Sequence, residues 1–151
     1  MFLMLSLNNL LLVLQFALPL DTLALKQASV EARVPVAVVY AVKYMETRVG
    51  RAERALGPGR EVCDPMCHRV CREIGPMQVN PCIHFDLPGC NALKVYAQNL
   101  TCGAGILGYL YGRYGSWGEA IRRYNGSGPR SWEYQQRALA FIGWLTLREE
   151  L

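Results

Sequence analysis

Six cysteines, Cys63, Cys67, Cys71, Cys82, Cys90 and Cys102, crowd into one stretch of this chain, and Pro65, Pro76, Pro81 and Pro88 interrupt it. A proline inside a helix removes a backbone donor and clashes with the preceding turn. Cys63 to Cys90 therefore cannot be one long helix, and it reads as turns with a small irregular β element, cross-linked into rigidity. An even number of cysteines behind an export leader points to disulfides in an oxidising compartment. Six cysteines allow fifteen pairings, among which sequence does not choose. Cys63, Cys67 and Cys71 are spaced by four, so on a helix they would share a face, and each is expected to reach outward to Cys82, Cys90 or Cys102. The rival is a metal site combining these thiolates with His68 and His84. No paired CxxC knuckle is present, so the expectation is three disulfides, no metal and no cofactor.

Met1 to Leu20 is almost wholly apolar and is followed by Asp21 and the small-residue site Thr22-Leu23-Ala24. This pattern fits a secretory signal peptide cleaved after Ala24, leaving residues 25–151 as one exported or periplasmic domain with no stable membrane insertion. No Lys or Arg precedes the apolar run, so an uncleaved membrane anchor is the alternative, the run being barely long enough to span. With 151 residues in all, there is room for one domain with a real core. Asp21 is the sole charge in the leader, so the remainder is mildly basic, carrying all 16 Lys and Arg residues. Arg48, Arg51, Arg54 and Arg60 gather in one region, which suits a polyanionic partner such as bacterial cell wall. No basic stripe with interleaved aromatics is present, so nucleic acid is not an expected partner.

Val34 to Gly50 reads as the central helix. Pro35 suits a first helical turn and Gly50 a helix end, while Val38, Val39, Val42 and Met45 recur at the spacing of a buried stripe. Glu46 follows Val42 by four residues and falls on that stripe; Lys43 points away from it. A carboxylate held against apolar side chains is poorly solvated when ionised, which raises its pKa and equips it as a general acid. The plain alternative is a solvent-facing carboxylate paired with Arg48, Arg51 or Arg54.

The rest of the chain supplies helices around this one. Leu25 to Arg33 forms a short supporting helix, and the charged Arg51 to Arg60, ending in Gly-Pro-Gly-Arg, marks a loop. Asn99 to Tyr114 places Leu100, Ala104, Leu107, Tyr111 and Tyr114 on one face. Its glycines at 103, 105, 108 and 112 each weaken a helix by about 1 kcal/mol, so a close neighbour is expected along Gly108 and Gly112, either the Glu46 helix or the wall of a cleft. Ser116 and Glu119 form a capping box opening a helix with Trp117, Ala120, Ile121 and Tyr124 inward, stopped by Asn125-Gly126. Ser131 is expected to cap the last helix, which turns Tyr134, Ala138, Phe141, Ile142 and Leu145 inward. Trp132 and Trp144 are expected in core or surface packing rather than as stacking faces for a ligand.

Taken in order, Glu46-Thr47, Gly75-Pro76-Met77-Gln78, the glycine-rich helix and Tyr124-Asn125-Gly126 resemble the lytic transglycosylases of the soluble-transglycosylase type. The resemblance runs from about Val34 to Leu145. Thr47 stands where the family has serine, Pro76 where it has leucine, and the Cys-rich insert before Gly75 is longer than the family's loop. What the resemblance implies is a mainly α, lysozyme-like α+β fold, with Glu46 catalytic and Thr47, Met77, Gln78, Tyr124 and Asn125 shaping the sugar site. On residue spacing alone, Tyr124 only packs and Asn125 only caps. The implied reaction cleaves peptidoglycan glycan strands between N-acetylmuramic acid and N-acetylglucosamine, leaving a 1,6-anhydro end, and the implied setting is local wall opening for a secretion, conjugation or pilus complex. A lysozyme-type hydrolase would need a second carboxylate, for which Glu61, Asp64, Glu73 and Asp86 are the candidates, Asp86 in a turn with Leu87-Pro88-Gly89. A non-catalytic wall-binding module is the third possibility.

Overall fold

Where the chain turns from its first helix to its second, local hydrogen bonds dictate the path. In the computed structural model, which describes residues 20–47, 58–64, 69–81, 87 and 89–149, helix α1 (Leu20–Ala32) ends with Arg33 in the left-handed region at φ 55°. There the Val34 amide donates to the Ser29 carbonyl at 3.0 Å and the Ser29 hydroxyl donates to the Val34 carbonyl. Helix α2 (Val36–Thr47) follows at once, the Pro35 carbonyl accepting from the Val38 and Val39 amides. Proline can stand at such a helix start because no donor is missed there. The supporting helix begins five residues earlier than its expected Leu25, and Ala24 lies inside it. Gly50, Arg48, Arg51 and Arg54 lie outside the described residues.

Strands β1 (Pro58–Asp64) and β2 (Arg69–Ile74) form an antiparallel hairpin pairing Glu61 with Arg72, Val62 with Cys71 and Cys63 with Val70. The small β element is therefore present, but Cys63 and Cys71 lie on paired strands and not on one helical face. Cys67, His68, Cys82, His84 and Asp86 lie outside the described residues, as do the side chains of Arg60, Glu61, Cys63, Asp64 and Cys71.

Three helices complete the body: α3 (Tyr96–Tyr114), α4 (Trp117–Asn125) and α5 (Arg130–Glu149). The protein is mainly helical. Helix α3 packs on α1 and α4, and α5 packs on α2 and α4. The core gathers Val39 and Val42 of α2, Leu100 and Leu107 of α3, Ile121 of α4, and Met77 and Val79 from the turn after β2. No helix of the described residues is long and apolar enough to cross a membrane.

Three details of α3 to α5 differ from the sequence expectation. Tyr111 and Tyr114 are exposed, because α3 outruns the helices that cover its first half; Tyr111 stacks on Trp117 at 4.1 Å instead. Gly108 does meet a backbone, but it is the end of α1, where a Cβ would lie 3.2 Å from the Ala32 carbonyl oxygen, while nothing lies within 4 Å of Gly112. Ser131 sits inside the first turn of α5 and donates to the Gly128 carbonyl at 2.6 Å, so it ties the loop to the helix and does not cap it. Trp132 and Trp144 are surface residues, each under an arginine, with Arg122 and Arg148 at 4.3 Å from their respective rings.

Half of the capping box forms at α4. The Ser116 hydroxyl accepts from the Glu119 amide at 3.1 Å. The Glu119 carboxylate, however, turns to Arg122 and Arg123, receiving Arg122 Nε at 2.9 Å and Arg123 Nε at 2.8 Å. Hydrogen bonds from Arg122 and then Arg123 hold its carboxyl at about 2, below the usual 4.5. Because the folded-state value is the lower one, this contribution to stability is complete above pH 4.5 and fades as pH falls towards 2. Carboxyl-carbon NMR should find Glu119 titrating near pH 2, and Arg122→Gln should move that midpoint upward.

Candidate active site

The site is built around a turn that few sequences could make. Ile74 and Val79 exchange both backbone hydrogen bonds, at 2.9 and 3.0 Å, so the chain must reverse within Gly75-Pro76-Met77-Gln78. Gly75 takes φ 74° and Gln78 φ 46°. Left-handed backbone at a non-glycine residue is uncommon and needs support. Here the Gln78 side chain supplies some of it, its Nε2 donating to the Gly75 carbonyl at 2.8 Å.

The turn is clamped from α3 by a residue that sequence reading passed over. Asn99 is fully buried. Its Oδ1 accepts from the Met77 amide at 2.9 Å, and its Nδ2 donates to the carbonyls of Ile74 at 2.8 Å and Leu93 at 3.0 Å. A polar residue on the buried face of α3, beside Leu100 and Gly103, was the available signal. The fit leaves no space: a Cβ on Gly75 would fall 2.3 Å from Asn99 Nδ2, and one on Gly103 would fall 2.6 Å from Met77. Gly103 thus explains one of the helix-weakening glycines as close contact with the turn.

From the other side α4 and α5 each contribute a phenol. Tyr124 donates to the Met77 carbonyl at 2.7 Å, and Tyr134 donates to Glu46 Oε1 at 2.7 Å. Glu46 is half-buried in the last turn of α2, on the side of Val39 and Val42, as its stripe position requires. Burial, reinforced by the charges of Glu46 and Glu73, pushes both phenols well above the ordinary tyrosine range. Both remain protonated donors through neutral and alkaline pH.

The other expected site residues fall into two groups. Met77 and Thr47 are buried, so they support the site from beneath instead of meeting a ligand with their side chains. Thr47 commits its hydroxyl hydrogen to the Lys43 carbonyl of its own helix at 2.8 Å. Gln78 is half-buried in the turn, and Asn125 is exposed at the last position of α4. Lys43 lies against Tyr40 and Tyr96, 5.9 and 5.7 Å from their ring centres. A separate groove of about 310 Å³ between α1 and α3, lined by Ala24, Gln27, Glu31, Ala97, Gln98 and Thr101 among others, is not part of this cluster.

Behind the clamp, Cys90 and Cys102 form a disulfide with Cα atoms 4.9 Å apart. This corrects the expected outward pairing, in which each was to receive one of Cys63, Cys67 and Cys71. After Cys90 the chain reverses through a turn closed by the Val95 amide on the Ala92 carbonyl, which returns Cys102 on α3 to face it. The bond brackets Leu93 and Asn99. Changing both cysteines to alanine should cost about 3 kcal/mol, the scale for a short closed loop, read as the shift in a urea unfolding curve.

Comparison of the chain with protein-family models, with curated proteins and with solved structures found no match.

Proposed function

We propose that this protein is a lytic transglycosylase that cleaves peptidoglycan between N-acetylmuramic acid and N-acetylglucosamine, with Glu46 as its acid and base. The observation that carries the reading is the Tyr134 to Glu46 hydrogen bond, which holds a half-buried carboxyl at the end of α2 among the turn and helices of the expected motif set. Glu46 gives its proton to the glycosidic oxygen as the bond from C1 to that oxygen breaks. The resulting carboxylate takes the proton of the 6-hydroxyl of the same muramic residue, whose oxygen bonds to C1. The product is a 1,6-anhydro end; no water is consumed, and Glu46 finishes as it began.

Gln78, in the turn, and Asn125, at the end of α4, are assigned to the sugar. The export expected from the apolar leader and the basic balance of the chain fit a wall-opening enzyme recruited by a secretion, conjugation or pilus complex. Hydrolysis of the lysozyme type is the competing reading, because a second carboxylate, Glu73, is half-buried on β2 next to the Ile74 to Val79 turn. Mass spectrometry of fragments released from peptidoglycan sacculi separates them. Ends in 1,6-anhydromuramic acid support the transglycosylase. Hydrated reducing ends mean a hydrolase, and no release from folded, oxidised protein means a binding module.

A further inference from the structure

A line of aromatic and arginine side chains crosses three helices on surface that the candidate site leaves unused. Near the end of α3, Arg113 Nη1 donates to the Tyr109 hydroxyl at 3.3 Å. The Arg113 guanidinium lies 5.7 Å from the centre of the Tyr114 ring, and that of Arg123 on α4 lies 5.0 Å from the same ring. Arg123 Nε donates to Glu119, which also receives Arg122, and Arg122 in turn lies 4.3 Å from the ring of Trp132 on α5. Tyr109, Tyr114 and Trp132 are 57%, 38% and 53% exposed. Exposed aromatics scattered singly need no explanation, whereas a contiguous run marks a contact surface. Tyrosine, tryptophan and arginine are also the residues that dominate the energy of protein interfaces.

The charges decide what fits. Along this line three guanidiniums meet one carboxylate, so the surface is short of negative charge. Arg122 is spent, being buried with both Nε and Nη2 on Glu119. Arg123 gives Glu119 only its Nε, and Arg113 meets no carboxylate among the described residues. Arg113 is exposed and Arg123 partly so, which leaves their other N–H groups open to a partner. Cations in a last helical turn also offset the helix dipole, but lysine would serve that purpose equally, and every Lys or Arg after Lys94 is an arginine. The planar guanidinium fork matches a carboxylate with two parallel hydrogen bonds, and Glu119 shows that pairing on this surface. We propose that the line is a docking surface for an acidic segment of a protein partner, two of its carboxylates received by Arg113 and Arg123 and an apolar side chain between them resting on Tyr114. Arg123 precedes Tyr124, and Trp132 lies two residues before Tyr134, so a partner seated here is held beside the candidate site. The docking surface stands apart from the reaction assigned to Glu46.

The test is selection of short random peptides displayed on phage against the oxidised full chain, followed by fluorescence anisotropy with the enriched peptide in labelled form. Peptides with two acidic residues around an aromatic or aliphatic one should be enriched. Their affinity should fall by about tenfold or more when Arg113→Gln and Arg123→Gln are combined, since two charge-assisted contacts are lost. Arg113→Lys with Arg123→Lys restores the charge but not the fork, and should recover little of the loss. Tyr114→Ala keeps every charge and should cost about tenfold as well. The lysine pair should keep the native thermal midpoint by circular dichroism, so that its loss of binding is not a loss of fold. No enrichment, enrichment of peptides without acidic residues, or undiminished binding by the glutamine pair or by Tyr114→Ala overturns the proposal. Vesicles of phosphatidylethanolamine and phosphatidylglycerol that bind the native protein and the lysine pair alike, but not the glutamine pair, would make the surface a lipid contact. A dimer in analytical ultracentrifugation that the glutamine pair abolishes would make the occupant a second copy of this chain. Either result also overturns the proposal. None of these readouts uses sacculi, so they stand whether or not fragments are released.

Discussion

Replacing Glu46 with glutamine should abolish release of fragments from sacculi while leaving the protein folded. The amide has nearly the shape of the carboxyl, and its carbonyl oxygen can still accept from Tyr134, a bond that measures 2.7 Å with the native residue. It can neither give up an acidic proton nor take one back. Acid and base catalysis by a placed side chain is worth about 10²–10⁴ in rate, and in the proposed cycle one residue does both. A fall of about 10³ or more is expected, measured as the initial rate of muropeptide release by liquid chromatography and mass spectrometry. The thermal midpoint should move little, since Glu46 is half-buried at a helix end and not in the closed core. Activity retained at a tenth of the native rate would remove Glu46 from the mechanism and with it the assigned reaction.

What could be read from sequence was the part of the site that lies within one element. The α2 stripe follows from spacing, with Val38, Val39 and Val42 buried and Glu46 half-buried on the same side. Tyr124 emerges inward from α4 for the same reason. The partnership of Glu46 with Tyr134 spans 88 residues, and periodicity says only that both face inward. The cysteines show a sharper limit. A spacing of four puts residues on one face of a helix, but four is even, so it does the same on a strand. Cys63 and Cys71 proved to be on β1 and β2, a choice their spacing could not make. The glycines of α3 differ for a similar reason: Gly103 and Gly108 meet neighbours and Gly105 and Gly112 do not, which depends on where α1 and the turn lie in space.

The largest effect on stability should come from Asn99, although it touches no reacting group. Changing it to alanine strands the Met77 amide and removes a donor from the Ile74 and Leu93 carbonyls, all drawn to a side chain with no solvent exposure. Each buried polar group left without its partner costs about 1–3 kcal/mol. The Ile74 carbonyl keeps a second partner in the Val79 amide, so its loss falls at the low end. A total of about 3–5 kcal/mol is expected, enough to consume much of the stability of a small domain, and it should appear as a large drop in the urea midpoint. Asn99→Asp separates the contributions. It keeps the acceptor for Met77 but loses both donors and buries a charge, so it should be no less damaging than alanine despite its shape. If either variant unfolds within about 1 kcal/mol of the native protein, the turn is held by Gly75, Gln78 and Tyr124 without the clamp. If the predicted cost is found, the turn that carries Gln78 and anchors Tyr124 owes its left-handed backbone to α3, and the site is as rigid as the core beneath it.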